Sequence, residues 1–535
     1  MATYEIEYDY EDSDEHYDEI DQVPEPVLAF TTRLKNAIFN QNVSELQNLY
    51  ENEYAELSDM FFKNSPWPPP QYTTEITFNC NAYDNGDPQQ RIFSALYGEL
   101  YYRHLYAKCH PSTSNRADSY YNYCTLFNEI VSVEDKPYPL QLPYQWMWDI
   151  IDEFVYQFQS YSLHKMRANK NQQQSQVDIN IWNVHSVLNV LHSLIDKSNV
   201  IDQLREYNAG RDPQAVAGVF GSHNIYKMLG YYSMIGLLRL HSLLGDYHQA
   251  IKVLENIDLN RQIMRNMSFV RVLACQTATY YYVGFAYMIM KRYSDAIRTF
   301  TNMLAYLHRT KQIYQYRTFQ VELVDKQTDQ MYVLLAMCLV LHPQRVDEGV
   351  TVVLREKYGE MMARLQRGDI NEFETQFKFS CPKFLSPVPV AQEPDPNADP
   401  ANPNASIKND PLRAQLKVFL EEVTQQLPLL IIRSYLKLYK TMSIEKLANF
   451  LEVSPDKLEE NLWCFKHKKQ SIVCQKDSVS PLDGELRSGS DVDFYIDKNM
   501  IHIADTKVAR RYGDYFLRQV HKFDELYRIV RNIKV

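Results

Sequence analysis

The chain has little glycine and none of the short motifs that mark a catalytic centre. Only 15 of its 535 residues are glycine, and sandwiches and barrels depend on glycine in their tight turns, so this scarcity favours helices. The sequence contains no GxxxxGK[ST], GxGxxG, HExxH or GxSxG motif. We therefore expect a mainly α protein that is not an enzyme and that carries no cofactor and no metal.

The cysteines have no spacing typical of a zinc site or a disulfide framework. The eight residues lie at positions 80, 109, 124, 275, 338, 381, 464 and 474, without a CxxC pair. We therefore expect free thiols in a reducing, cytoplasmic compartment. The longest uncharged apolar run, Met331 to Leu341, is far shorter than the ~20 residues of a membrane span. The first residues are acidic, so we expect neither a signal peptide nor a membrane partner.

Charge is distributed unevenly between the two ends of the chain. The net charge is −11, and residues 1–21 contain ten carboxylates and no lysine or arginine. Such a block repels itself and has little apolar surface to bury, which predicts a disordered acidic tail over residues 1–25. The tail could bind a basic partner, although a solubilising role is the simpler interpretation. Residues 498–535 are basic instead, with nine Lys or Arg against four Asp or Glu.

Helical spacing of apolar residues runs through most of the chain. Residues 26–180 form an N-terminal helical region, in which Val27, Phe30 and Leu34 lie one turn apart. Prolines interrupt this region after residue 65, and the polar stretch 165–178 predicts a loop. Asp149, Asp152 and Glu153 lie in one of its helices, where a solvated or partner-facing acidic stripe is more plausible than acid–base catalysis.

Residues 181–385 predict tetratricopeptide-like helical repeats. Residues 240–257 resemble residues 286–303 at an offset of 46, and Ala250 matches Ala296. A small residue at this position lets the second helix of a hairpin pack closely against the first. Because the offset is longer than a standard repeat, we predict an irregular solenoid. Seven prolines in residues 386–411 predict a linker.

Residues 412–505 predict a winged helix. A helix from Arg413 to Gln426 should end near Pro428. Ser443 and Ser454 are candidate N-caps of two further helices, and two short strands, residues 492–496 and 500–503, would form the wing. Lys291 and Arg292, outside this module, have the character of ordinary surface charge.

The last segment, residues 506–535, predicts one long helix with an apolar seam. Its apolar residues recur every 3.5 positions on average, which is typical of a coiled coil or helical bundle. The seam therefore predicts contact with partner helices, and the alternative is that the helix folds back on its own wing. The seam residues are Tyr512, Phe516, Val520, Phe523, Tyr527 and Val530.

A basic cluster leaves nucleic-acid binding open as a rival function. In a winged helix the third helix can enter a groove and place its lysines on phosphates. Here that helix is mostly apolar and lacks a base-reading face, so sequence-specific DNA binding is not favoured, and cations stabilising the helix C-terminus are the simpler interpretation. Non-specific contact with RNA stays open. The candidate residues are Lys466, Lys468, Lys469, Arg510, Arg511 and Arg518.

Several long strings identify a resemblance to a known family. They strongly resemble the PCI-domain subunits of eukaryotic translation initiation factor 3, from about residue 55 to the C-terminus. The strings are YYNYC (120–124), QWMWDIIDEFVYQFQS (145–160), NVHSVLNVLHSLIDKS (183–198), YKMLGYYSMIGLLRLHSLLGDYHQAIKVLEN (226–256), SCPKFLSPV (380–388) and VDFYIDKNMIHIADTKVARRYGDYF (492–516).

This resemblance implies a PCI domain over about residues 300–505 and a role in assembly. In such complexes winged helices align edge to edge and C-terminal helices share a bundle. It also implies a non-enzymatic scaffold in the cytoplasm that supports preinitiation-complex assembly and mRNA recruitment on the small ribosomal subunit. Subunits K and E of the factor are the expected neighbours. A PCI subunit of a proteasome-lid or signalosome-like complex is the alternative.

Overall fold

The computed structural model divides the chain into two compact units, Met1–Trp146 and Met147–Val535, which are treated separately. It describes residues 23–78, 88–132, 136–170, 181–257, 272–314, 318–386, 411–474, 480–490 and 492–532. The predicted acidic tail up to residue 22, the predicted linker over 387–410 and Cys80 lie outside these residues. The first unit ends inside a helix, and the domain boundary predicted at residue 180 stays a prediction.

Helices account for the described secondary structure of the first unit. The last of them, α7, begins in this unit and continues into the second. Their bounds are α1 Glu25–Phe39, α2 Val43–Asn48, a π-helix Leu49–Glu53, α3 Tyr54–Phe61, α4 Pro70–Phe78, α5 Pro88–Lys108, α6 Thr113–Val131 and α7 Tyr144–Lys170.

The core of the first unit is aromatic. Trp67, from the proline-rich segment after α3, packs its ring 5.6 Å from Phe30 and 5.0 Å from Tyr54. Its indole N–H donates to Ser58 Oγ at 3.0 Å, which satisfies the buried polar group. Burial of Trp67 anchors the prolines, and the helix α4 follows directly. The interruption predicted from the prolines after residue 65 is therefore short, because α4 begins at Pro70.

The second unit continues as a chain of helical hairpins, and the mainly α prediction is confirmed. Within this unit α7 extends to Lys170, so the loop predicted from residue 165 begins later than expected. The remaining helices are α8 Val184–Ser198, α9 Val200–Asn208, a 3-10 turn Pro213–Ala215, α10 Gly218–Gly221, α11 Asn224–Leu244, α12 Tyr247–Lys252, α13 Leu273–Ile289, α14 Tyr293–Tyr314, α15 Thr318–Leu341, α16 Glu348–Gln366, α17 Ile370–Ser380 and α18 Pro411–Leu436. None of the helices within the described residues is long and apolar enough to pass through a membrane.

The internal repeat corresponds to two hairpins, α11–α12 and α13–α14. Ala250 and Ala296 are completely buried at the matched positions. The turns also match, because Gly245 has φ +83° and the residue 46 positions later, Lys291, has φ +65°. The left-handed conformation ends each first helix, so the second helix can pack against it.

Helix α18 passes through Pro428, where the sequence suggested a break. Proline removes one backbone donor and usually ends or kinks a helix. Here Val423 on one side of the proline and Leu429 and Ile432 on the other are all buried. Packing on both sides offsets the lost hydrogen bond, so tertiary contacts decide the outcome.

The C-terminal module is a winged helix. The end of α18 packs with α19 (Ile444–Leu451) and α20 (Pro455–Lys468), and both predicted caps are confirmed. Strands β4 (Val492–Asp497) and β5 (Met500–Asp505) form the wing, and β1 (Thr441–Ser443) completes a sheet of order β1-β5-β4. The shared core consists of Leu429, Ile432, Leu436, Met442, Ile444, Leu447, Ala448, Leu458, Leu462, Phe465, Val492, Phe494 and Ile501.

A second, two-stranded sheet was not anticipated from the sequence. Strands β2 (Gln470–Val473) and β3 (Glu485–Ser488) pair antiparallel, with Gln470 opposite Ser488. They leave the winged helix between α20 and β4. The last described element is α21, Thr506–Asn532.

Candidate protein-interaction helix

Helix α21 exposes large apolar side chains along its described length. At 1.5 Å per residue its 27 residues span about 40 Å. Phe516 and Phe523 are 62% and 68% exposed, and all six residues of the predicted seam are more than half exposed. Clusters of exposed apolar side chains of this kind mark sites of protein interaction in soluble proteins.

Eight of the ten large apolar residues that are exposed on the described part of α21 lie on one side of the helix. At 100° per residue the six seam positions fall within an arc of about 80°. Tyr515 and Leu526, also more than half exposed, widen this arc to about 140°. We call these eight residues the α21 stripe: Tyr512, Tyr515, Phe516, Val520, Phe523, Leu526, Tyr527 and Val530.

Charged and polar side chains cover the opposite side of α21. Arg518, His521, Glu525 and Arg528 are exposed there. The predicted seam did not include Tyr515 and Leu526, because it counted one apolar residue for each helical turn. Both lie three residues after a seam position, at Tyr512 and Phe523, and that spacing places residues on the same face of a helix.

The three lysines proposed to contact RNA are engaged inside the chain. Lys466 Nζ donates to Phe494 O at 3.0 Å, and Lys469 Nζ donates to Leu341 O at 3.3 Å. Lys468 Nζ pairs with Glu422 Oε1 at 2.7 Å. RNA contact through these lysines stays a prediction, and it would require these bonds to break. Of the three arginines, Arg518 is exposed, and Arg510 and Arg511 lie in the first turns of α21.

Glu422 on α18 joins the solenoid to the winged helix. Its carboxylate accepts from Lys468 on α20 and from Lys291 in the α13–α14 turn, each at 2.7 Å, and Gln426 Nε2 donates to it at 2.8 Å. Burial raises the pKa of this carboxyl, but bonds from Lys291, Lys468 and Gln426 oppose burial and lower the pKa to about 2. The junction therefore contains an ionised carboxylate at neutral pH.

The exposed face of α20 is acidic around a tryptophan. Asp456, Glu459 and Glu460 lie on the same side of the helix as Trp463, and all four are exposed. In a nucleic-acid reader this third helix approaches phosphates. Three carboxylates at this position oppose that approach, and one of them, Glu460, pairs with the exposed Lys457 at 2.7 Å.

Comparison with known proteins identifies the family. A family described as RNA polymerase I-associated factor PAF67 matches residues 115–523. A Danio rerio protein named eukaryotic translation initiation factor 3 subunit L is 49% identical over 99% of this chain and 91% of its own length. Homo sapiens and Xenopus laevis proteins of the same name are each 52% identical over 91% of this chain, covering 83% and 84% of their lengths.

The chain belongs to the eukaryotic translation initiation factor 3 subunit L family. The resemblance found in the sequence is thereby confirmed. The matched range, residues 115–523, includes the repeats, the winged helix and the α21 stripe up to Phe523. The candidate surface therefore belongs mostly to the part of the chain that the family shares.

The acidic residues predicted on α7 have partners within the chain. Asp152 pairs with Arg239, whose Nη2 donates to Gln159 Oε1 at 3.2 Å. The acidic stripe predicted there is therefore not simply solvated, because one of its carboxylates is used internally. Throughout the residues that the structure describes, no group of three His, Cys, Asp or Glu side chains is placed to hold a metal ion.

Proposed function

We propose that this protein is a non-enzymatic scaffold subunit of cytoplasmic eukaryotic translation initiation factor 3. The observation that carries the proposal is the α21 stripe, in which eight large apolar side chains on one helix face are each more than half exposed. The stripe runs from Tyr512 to Val530, about 27 Å along the helix, and an apolar face of this length is best covered by helices from other subunits. Family membership supports the factor as the assembly in which this happens.

The partners follow from the family resemblance. We expect subunits K and E to be neighbours within the factor, and the small ribosomal subunit to be the platform on which the factor works. In this role the chain holds other subunits in place and catalyses no reaction. It thereby supports assembly of the preinitiation complex and recruitment of mRNA. The PCI domain covers about residues 300–505.

The α21 stripe favours a helical partner over a flat or extended one. Its residues recur at spacings of three and four, which is the geometry that lets side chains interdigitate with those of a neighbouring helix. The flanking charged face stays available to solvent. Burying one aromatic side chain of the stripe should contribute about 2–3 kcal/mol to association.

The test is a double substitution, Phe516→Asp with Phe523→Asp, in the full-length chain. We expect a folded protein whose co-purification with other subunits of the factor falls by at least about tenfold, because two buried carboxylates would replace two aromatic rings. The measurement is affinity purification from cytoplasmic extract, with subunit ratios read by mass spectrometry.

A matched control comes from the same helix. Leu517 and Ile529 are 60% and 54% exposed but lie outside the α21 stripe. Leu517→Asp with Ile529→Asp adds the same charge at similar exposure, and we expect it to retain co-purification. Equal retention by both double variants would refute the role of the stripe.

Non-specific RNA contact is a second, weaker activity that we propose for the charged face of α21. Arg518 and Arg528 are exposed there, on the side opposite the stripe, so a helix docked through its apolar face would still present them. Arg510 and Arg511 precede them in the same helix. The acidic face of α20 supports non-specific contact over groove recognition.

A further inference from the structure

The two-stranded β2–β3 sheet and its flanking residues contact the solenoid. We call residues 470–474 and 480–490 the clasp. All four residues of β3 and the first and third residues of β2 are exposed, so they contribute little to any core. The ends of the clasp behave differently, because Cys474, Ser480 and Ser490 are buried. The clasp therefore projects from the winged helix, and its buried ends attach it to the solenoid.

The fixing point is a buried carboxylate on α14. The side chain of Asp295 is fully buried, and both of its oxygens accept from the backbone N–H of Cys474, at 3.2 and 3.1 Å. Arg292 Nε donates to Asp295 Oδ2 at 2.9 Å, and Arg298 Nη2 donates to Oδ1 at 2.9 Å. The carboxylate thus orients two guanidinium groups and binds the clasp directly.

Both guanidinium groups hold the backbone of the clasp. Arg292 donates to Leu482 O at 2.9 Å and to Asp483 O at 3.2 Å. Arg298 Nη1 donates to Cys474 O at 3.2 Å. Arg292 is itself buried, so its assignment to ordinary surface charge was wrong. The rigid fork of arginine suits this role because one side chain can bind the carboxylate and two carbonyl groups together.

A second contact fixes the other end of the clasp on α15. Gly489 lies against His342, and a Cβ atom at Gly489 would be 2.3 Å from the imidazole Cε1. Gly489 N donates to Lys469 O at 2.7 Å, and Lys469 Nζ donates to Leu341 O at the end of α15. A side chain larger than hydrogen at position 489 would push the clasp away from the solenoid.

We propose that Asp295 is a positioning residue, which acts through the clasp to hold the winged helix in one orientation on the repeats. The purpose of that orientation, presenting the α21 stripe in a fixed direction to other subunits, rests on the function proposed above. The clasp is held through backbone atoms and buried charge rather than through a broad apolar surface. Its attachment therefore depends on few residues, among which Asp295 both binds the clasp and orients the two arginines that hold it.

The first test substitutes Asp295→Asn in the full-length chain. The amide cannot neutralise the two arginines, so we expect the clasp to detach. Hydrogen exchange of peptides covering residues 470–490 should accelerate by at least about tenfold, and co-purification with the factor should weaken. Asp202→Asn is the control, since Asp202 forms a similar i,i+3 pair with Arg205 that is exposed. It should change neither measurement.

The second test does not depend on the buried charge. Gly489→Ala should also accelerate exchange of the clasp, because of the contact with His342. Adding His342→Ala removes the imidazole, so the double variant should exchange more slowly than Gly489→Ala alone. Such rescue would not follow from general destabilisation, since two destabilising changes at separate sites add.

The outcomes separate this proposal from the assembly role. Unchanged exchange of the clasp in Asp295→Asn and Gly489→Ala, or accelerated exchange with fully normal co-purification, would overturn the positioning role. Phe516→Asp with Phe523→Asp should lose co-purification while its clasp exchanges as in the native chain. If that variant co-purified normally, the assembly role would fail, but the exchange of the clasp in Asp295→Asn would still be informative.

Discussion

At the scale of single residues, charge is concentrated where the winged helix meets the solenoid. Glu422 binds two lysines that are far apart in the sequence, Lys291 and Lys468. The side chain of Lys291 is largely exposed, whereas the carboxylate is nearly buried. Water therefore weakens the Lys291–Glu422 pair more than the Lys468–Glu422 pair. Loss of Glu422 should therefore be felt mainly through its pair with Lys468, whose side chain is 19% exposed.

We predict that Glu422→Gln lowers the free energy of unfolding by about 2 kcal/mol at neutral pH, because it leaves two ammonium groups without their counter-charge. The folded-state pKa of about 2 lies below the ordinary value of 4.5. The carboxylate therefore stabilises the fold above about pH 4.5, and this contribution is lost as the pH falls towards 2. Urea unfolding of both proteins at several pH values measures the difference.

Glu421→Gln provides the control for this prediction. Glu421 is the preceding residue on α18, but its side chain is 61% exposed and its lysine partner is 3.9 Å away. We expect Glu421→Gln to leave the free energy of unfolding almost unchanged, as for most exposed ion pairs. Equal destabilisation by the two substitutions, or an effect of Glu422→Gln that does not shrink at low pH, would contradict the assignment.

At the scale of elements, close packing of paired helices holds the repeats together. Ala250 and Ala296 are completely buried, so there is no room at either position for a longer side chain. Gly284 on α13 shows the same constraint, because a Cβ atom there would lie 2.4 Å from the ring of Phe300 on α14. Small residues thus set the distance between the two helices of a hairpin.

We predict that Ala250→Leu destabilises the second unit by about 1–3 kcal/mol, since the added carbons must displace the neighbouring helix. Thermal unfolding followed by circular dichroism measures the change. Gln249→Leu is the comparison, because Gln249 lies on the exposed side of α12. If the two leucine variants unfolded at the same temperature, close approach at Ala250 would not be what defines the repeat.

At the scale of the whole molecule, the charge distribution argues against nucleic acid as the main partner. The chain has a net charge of −11. The lysines at the end of α20 are bound internally, and its exposed face is acidic. Binding to DNA depends on cations placed against phosphates, and here three of the six candidate cations are engaged elsewhere.

We predict that the full-length chain shows no saturable, sequence-dependent binding to duplex DNA at about 0.15 M salt. Filter binding across a salt series, with structured RNA in parallel, measures this. Weak RNA binding that disappears in the Arg518→Glu variant would fit non-specific contact by α21. Tight binding with a sequence preference would favour the winged helix as a nucleic-acid reader instead.

The sequence by itself determined features that depend on local chemistry. Neighbouring residues determine the helical periodicity, the serine caps of α19 and α20, the alternation of β4 and the repeated alanines. Each of these features appears in the structure. The predicted seam could be read for the same reason, since its residues lie on a single helix. The widening of that seam by Tyr515 and Leu526 was also local, although it was overlooked.

Only the tertiary structure decided the features that join distant parts of the chain. The clasp joins Asp295 to Cys474, and Pro428 is accommodated inside α18 because residues on both sides of it are buried. Lys469, a predicted RNA contact, donates to Leu341 O at the end of α15, a partner that the sequence does not indicate. In each case the free energy comes from burial and from charge pairs across more than a hundred residues or across a packed interface. No local pattern encodes such pairs, because the unfolded chain does not bring these groups together.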